Sequence, residues 1–528
     1  MRTSFTLSFG RFRGRQLTLV GILVVGAVAA YQLAQYVISD DLAGLAYAGI
    51  LFVVGVISIR ILNNWRNGVY FFLAWLLFED LARKFLGNNM AIFFAKDFLL
   101  LVVLISFLGA YRRKEVKTFR PPFLVPLLIF IWFGVLQVFN PASTSVWYGI
   151  LGLKMFFYYV PLLFMGYSLL NSEVELRQFF IVNLSLAIIV ISLGIAQSIL
   201  GVSFLNPAQP AEDIRALSTL YRVSRITGAV AYRPTSVFVS AGRYANFIIV
   251  AWLLVLGFTC HLLLRHKRGR ALAFIAVALT AGGAFLTTSR GTFMWAMINA
   301  LATSVAFVWG APWRQREALR VFRAIQRVAL GIALGILLLS IAYPDALLSR
   351  LAIYQETLLP GSPTSELASR TWYYPIQNFL LAFTYDRWPY GYGIGTTGLG
   401  GQYVARFFHV RPPVVGVESG FGTLVVEMGI GGLILWFVMG TAVLVSACKV
   451  VKTLKGSPWF PLGFVISWYA FFLLFPATYG GMPPYEDFVL NAYFWLLLGI
   501  LFRLPSLLPS AQFAPTAPAT QSWRHWIP

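Results

Sequence analysis

Glu418 stands where a polar stretch rich in arginine and aromatic residues gives way to a long apolar run. It sits at the water boundary near several arginines, which makes it the better reactive carboxylate of that region. Glu427 follows nine positions later. On a helix turning ~100° per residue, that spacing puts Glu427 on the opposite face and about 13 Å deeper. The two therefore cannot share one cleft as a carboxylate pair, and Glu427 is the better structural ion-pair partner. Arg233, Arg370, Arg387 and Arg411 lie in two long polar stretches, 204–241 and 344–417, which hold no lysine, and Arg290 stands at the boundary of an apolar run. A guanidinium is a planar fork suited to bidentate binding of phosphate or carboxylate. The alternative role for the same arginines is to anchor loops to lipid headgroups and to one another. His409 is the only histidine in those stretches and is an alternative general base. Trp372 and Tyr392 could stack on sugar rings or belong to an interfacial aromatic belt.

Gly393-Ile-Gly395-Thr-Thr-Gly398 formally matches the G-x-G-x-x-G pattern. No strand precedes it and no helix pattern follows, so a dinucleotide site is not expected. With Pro389 it reads as a tight, aromatic-lined turn. Glu79 with Arg83 and Asp80 with Lys84 are i,i+4 pairs that can neutralise each other along one helix. Lys96, Asp97 and Lys154 also lie inside apolar runs, where an unpaired charge costs several kcal/mol. A structural network is expected there, with Lys154 or Lys96 pairing to Asp97 or Glu79 of another helix. Lys154 is alternatively a ligand for an anionic headgroup. Cys260 and Cys448 are the only cysteines, and they imply neither a disulfide framework nor a metal site.

The elements that must hold these residues are membrane helices. Of the 528 residues, 59% are hydrophobic and 11% charged, against about 25% charged in an ordinary soluble domain. Runs of about 18 or more apolar residues recur, and lipid leaves helices as the economical way to satisfy every backbone group. The expected fold is all-α, a polytopic bundle of about fourteen transmembrane helices. They include runs at 17–37, 146–170, 328–343, 421–446, 460–475 and 488–502. The net charge of +22 reflects the positive-inside bias rather than nucleic-acid binding. With both termini cytoplasmic, every lysine-bearing loop falls inside, and 204–241 and 344–417 fall outside. The expected organisation is helices over 1–343, a large, partly helical outer loop over 344–417, helices again over 418–504, and a Pro- and Ala-rich disordered tail over 505–528.

Thr287-Thr-Ser-Arg-Gly291 resembles the Ser-Arg-Gly motif of the bacterial O-antigen ligase and O-antigen polymerase superfamily. Ser369-Arg370-Thr-Trp372 and Trp388-Pro389-Tyr-Gly391-Tyr-Gly393 are similar to the loop pattern of that family. Glu418-Ser-Gly-Phe-Gly through Glu427-Met-Gly429 resembles the segment that closes the loop. The likeness is strongest over 287–432. Ligases of the family carry His-Asn where this chain has Glu418-Ser419, which favours a polymerase of repeat units. The resemblance implies an inner-membrane enzyme acting at the periplasmic face on oligosaccharide carried by undecaprenyl pyrophosphate, with a glycan acceptor. Membrane lipids, a chain-length regulator and a flippase are the implied partners. On that footing Arg290 leads the candidates for a phosphate clamp, followed by Arg233 and Arg370. Glu418 is the candidate general base, and a single displacement would invert the anomeric centre. No cofactor or metal is called for, since no Asp-x-Asp motif lies in the outer loops. A ligase, or a transporter of lipid-linked anions, is the alternative.

Overall fold

A computed structural model describes residues 42–86, 90–206, 220–224, 228–265, 269–312, 331, 341, 344–358 and 369–507. The expected runs at 17–37 and 328–343 fall wholly or largely outside these. Eight helices among the described residues are long and apolar enough to cross a membrane, and the protein is an α-helical membrane protein.

The chain forms two compact units. Among the described residues the smaller comprises 42–70 and Phe98–Gly109. Within it, helix α1 (Leu42–Asn63) leads into the start of α2 (Trp65–Phe85), whose residues from Phe71 on belong to the larger unit, and the Trp65 ring meets Phe107 edge-on at 5.0 Å. Phe107 lies on α3 (Met90–Arg112). Ser106 donates to the Ile61 carbonyl at 2.8 Å, which satisfies a hydroxyl that would otherwise be stranded among apolar side chains.

The larger unit holds the rest. Helix α4 (Leu124–Val138) is followed by α5 (Val146–Phe157) and α6 (Pro161–Leu169). The run expected at 146–170 is a single candidate span, Val146–Leu169, with a turn at 158–160 between its two helical stretches. Pro161 supplies no N–H and opens the second one, as proline does at a first helical position. Then come α7 (Glu173–Leu200), an antiparallel ribbon of β1 (Tyr221–Val223) and β2 (Val230–Tyr232), α8 (Ala241–Arg265), α9 (Arg270–Leu286) and α10 (Arg290–Gly310). The large polar stretch is itself partly helical, with α11 (Pro344–Leu358), α12 (Tyr374–Leu381) and α13 (Leu399–Phe408). Helix α14 (Gly420–Thr453) and α15 (Phe460–Phe472) follow. The latter runs on through a wide turn at Leu473–Ala477 that contains Pro476. The last helix, α16 (Phe488–Arg503), is buried nearly all round, which fits a sequence apolar on every face.

The intramembrane charges are paired. Lys96, with 0% of its surface exposed, lies 3.0 Å from Glu79. Lys154 lies 2.5 Å from Asp97. These are the cross-helix pairings expected of a structural network, and they occupy the Lys154 ammonium. Asp80 pairs with Arg83 at 3.2 Å and with Arg243, which also reaches Asp487 at 3.0 Å. The expected Asp80–Lys84 pairing is replaced. Lys84 donates to Thr235 Oγ1 and the Ser236 carbonyl, both at 2.8 Å, because Arg83 and Arg243 already occupy Asp80. The network ties α2, α3, α5, α8 and the start of α16 together.

Removing one member of such a buried pair strands the other. Lys96→Met is expected to destabilise by about 3–5 kcal/mol. The double variant Lys96→Met with Glu79→Leu should recover most of that loss. Thermal unfolding in detergent measures the cycle, and additive losses would contradict the pairing.

Candidate functional site

The site is assembled around a break in a helix. Gly429 sits at φ 70° inside α14, a left-handed conformation that glycine adopts without steric cost. The break frees the Val426 and Glu427 carbonyls from their helical partners, and a freed carbonyl in lipid must find another donor. The N–H groups of Tyr392 and Gly393 supply it, each at 2.8 Å. The glycine-rich turn is thereby docked against the broken helix.

That docking brings four donors onto Glu427. Gly395 N–H donates to one carboxylate oxygen at 2.8 Å. Thr397 N–H, Thr397 Oγ1 and Gly398 N–H donate to the other at 2.9, 3.0 and 2.9 Å. Glu427 is fully buried. The ion pair expected of it is not found among the described residues, and backbone donors with one hydroxyl hold it instead. Leu399 N–H donates to Glu486 at 2.7 Å. The sequence reading of Gly393–Gly398 needs a second correction, since helix α13 does follow it directly. The oxygens its N–H groups bind belong to two of the protein's own carboxylates. Gly398 is required here, because a Cβ would stand 2.1 Å from Glu486 Oε1.

Against this wall lies a cavity of about 680 Å³, within the ~300–1,000 Å³ range typical of ligand sites. One face of α8 lines it through Gly242, Ala245, Asn246 and Ile249. The start of α10 contributes Ser289, Gly291, Thr292 and Trp295, and Thr397–Leu399 of the docked turn close a side. Phe472 and Pro476 come from α15 and its wide turn, and Glu418 stands before the first turn of α14. Helices α8, α10 and α14 all begin here, after Ser240, Ser289 and Ser419, whose hydroxyls each accept a first-turn N–H. The helix-end side of the cavity is polar. Ile249, Trp295 and Phe472, one to two turns further in, make the opposite side apolar. Glycines occupy the second helical position of α8 and of α10. At neither would a Cβ meet an atom within 4 Å, so bare backbone faces open space.

Of the residues singled out from sequence, Glu418 lines this cavity. Its carboxylate is exposed and takes no partner among the described residues, while its backbone N–H donates to Asn378 Oδ1 at 3.2 Å. Arg290 lies between two lining residues but points elsewhere. It is 7% exposed and stands 3.7 Å from Glu356, which also accepts from Ser224 Oγ at 2.9 Å. Arg233 follows the ribbon, and burial together with the nearby charge of Arg222 lowers its pKa. Arg350, not singled out from sequence, bonds the Tyr232 and Leu286 carbonyls at 3.1 and 3.3 Å. Arg387, Arg411 and His409 are exposed on the loops, with Trp372 also exposed. Tyr392 packs edge-on against Tyr385 at 6.3 Å. The Arg370 side chain falls outside the described residues.

No protein-family model and no curated protein matches this chain. The functional reading therefore rests on the residues themselves.

Sequence reasoning passed over Asn246, Trp295, Gly242 and Glu486. A signal existed for the glycines, since Ser240-Ala-Gly242 and Ser289-Arg-Gly291 repeat one Ser-x-Gly start on two helices. Nothing in the sequence brought Glu486 to Glu427. Burial, with the Glu427 charge adding to it, pushes Glu486 up to about 8. A carboxyl raised in the folded state contributes stability that is complete below its unfolded value, near 4.3. That contribution is lost as pH rises through about 8. Glu486→Gln is therefore expected to raise the thermal midpoint in detergent above pH ~8 and to leave it nearly unchanged below pH ~4. Parallel midpoint-against-pH curves for the parent and the variant would refute this.

Proposed function

We propose that the protein is a membrane glycosyltransferase that adds lipid-pyrophosphate-linked oligosaccharide repeat units to a glycan acceptor. The observation that carries the reading is the cavity, polar at the helix ends and apolar beneath, with an unpartnered carboxylate on its wall. Such a space suits an amphiphile whose headgroup reacts at the membrane surface while its chain lies among apolar side chains. The resemblance of 287–432 to the O-antigen polymerase and ligase superfamily supports the same chemistry, and Glu418-Ser419 favours polymerisation. The reaction takes place at the periplasmic face of the inner membrane.

In this mechanism Glu418 takes the proton of the acceptor hydroxyl as the oxygen attacks the anomeric carbon. The new C–O bond forms as the bond to the pyrophosphate oxygen breaks, and the lipid pyrophosphate leaves with its electron pair. One displacement inverts the anomeric centre. Pyrophosphate is already a good leaving group, so stabilising its growing charge is the main task. The N–H groups and positive dipole ends at the starts of α8 and α10 suit that task. Arg290, one residue from Gly291, adds a guanidinium once released from Glu356. Arg233 and Arg370 serve the more distant phosphate or glycan.

The test uses purified full chain with lipid-pyrophosphate oligosaccharide, read as a product ladder on a gel. The parent should form the ladder, and Glu418→Gln should lower the rate by ~10²–10⁴-fold. Arg290→Ala should lower it as well, with membrane levels unchanged. An undiminished ladder from Glu418→Gln would remove that residue as the base. A single addition without a ladder would mark a ligase. Movement of intact lipid between leaflets without transfer would mark a transporter.

A second variant tests the cavity itself. Gly291→Leu places a side chain in open space and should abolish the ladder while leaving the thermal midpoint within a few degrees of the parent. A functional Gly291→Leu would show that the substrate binds elsewhere.

A further inference from the structure

Most polar side chains on the cavity wall are already engaged. Thr292 Oγ1 donates to Ser289 Oγ at 3.0 Å, Thr423 Oγ1 to the Ser419 carbonyl at 3.0 Å and Thr397 Oγ1 to Glu427 at 3.0 Å. Besides Glu418, the Asn246 carboxamide and the Trp295 indole N–H have no hydrogen-bond partner among the described residues. Asn246 lies four residues after Gly242 on α8, about 6 Å further in. Trp295 lies four residues after Gly291 on α10, at a similar depth. The Trp295 ring is braced edge-on by Phe472 with centroids 4.7 Å apart. Beyond them the wall is apolar, with Ile249 and Phe472. The Asn246 carboxamide is half-buried and faces the cavity, where it is open to a ligand.

We infer that Asn246 and Trp295 form a recognition subsite for an uncharged, hydroxyl-bearing sugar ring of the glycan acceptor. A carboxamide both donates and accepts, so it can pair with adjacent hydroxyls without attracting a free charge. The indole offers an apolar face to the C–H side of the ring and an N–H to a further oxygen. Among the described residues no cation lines the cavity beside them, which fits a neutral group at this depth. The inference deepens the transferase reading and rests on it for the choice of a sugar over other hydroxyl-bearing rings.

The experiment uses the full chain in nanodiscs free of alkyl glycosides. A diazirine-tagged dodecyl maltoside is photolysed, and labelled peptides of α8, α10 and α15 are quantified by mass spectrometry. Unlabelled dodecyl maltoside should compete, and the sugar-free octaethylene glycol dodecyl ether should not. Asn246→Leu and Trp295→Leu should each cut sugar-dependent labelling about tenfold, the loss expected of one or two hydrogen bonds. Gly242→Leu, which fills the cavity from a position open in the structure, should abolish it. Equal competition by the sugar-free ether would overturn the subsite, as would undiminished labelling in Asn246→Leu. Sugar-dependent labelling lost in Asn246→Leu, with the thermal midpoint kept, would support it. The readout requires no turnover. A parent chain that labels as described but transfers no glycan would therefore refute the transferase reading and leave the subsite standing.

Discussion

A buried carboxylate held by backbone donors organises the functional end of this protein. Among the described residues no cation pairs with Glu427, and its carboxylate is met by three N–H groups and a hydroxyl from one short turn. Carboxylate and turn depend on each other. Without Glu427 those N–H groups would be buried and unpaired, and without the turn a bare carboxylate would face the apolar interior. The left-handed Gly429 extends the dependence, because the carbonyls it frees accept from the same turn. A break in a membrane helix is tolerated only where its polar groups are covered, and here the covering element is also a wall of the cavity.

The second organising feature is the chain of ion pairs through α2, α3, α5 and α8. Each charge is costly alone, and together they fix the register of helices that are otherwise uniformly apolar. Between such helices the hydrophobic effect gives little direction, because lipid is as apolar as the side chains. Polar pairs therefore carry orientation. Arg243 joins Asp80 to Asp487, and its neighbour Gly242 lines the cavity. The network thus positions α8 at the site as well as stabilising the bundle.

Among the cations expected to meet a ligand, Arg290 faces Glu356 and Lys154 faces Asp97, while Arg387 and Arg411 are exposed on the loops. Loop anchoring and ligand binding call for the same guanidinium geometry, so composition could not separate them. The polar groups left available at the cavity are a carboxylate, an amide, an indole and bare backbone at helix starts. That set favours a ligand that is amphipathic and mostly uncharged where it lies deepest.

Sequence alone determined the class of the protein. Long apolar runs with few charges require membrane helices, whatever their arrangement. It also pointed to pairing for Lys96 and Lys154, since a lone charge at those positions is costly, and it marked Glu418 by its place at the edge of an apolar run. The tertiary structure decided what each group meets. Period and spacing describe one helix at a time, and the ~100° turn per residue gave the face of Glu427 but not what that face meets. Its partners lie some thirty residues away in sequence, on a turn that reads as irregular. Neither the turn at 158–160 nor the kink at Gly429 shows in a pattern of apolar runs, because proline and glycine are also ordinary in membrane helices. Asn246 and Trp295 gave no signal, because one polar residue in an apolar run acquires meaning only when packing leaves it facing open space.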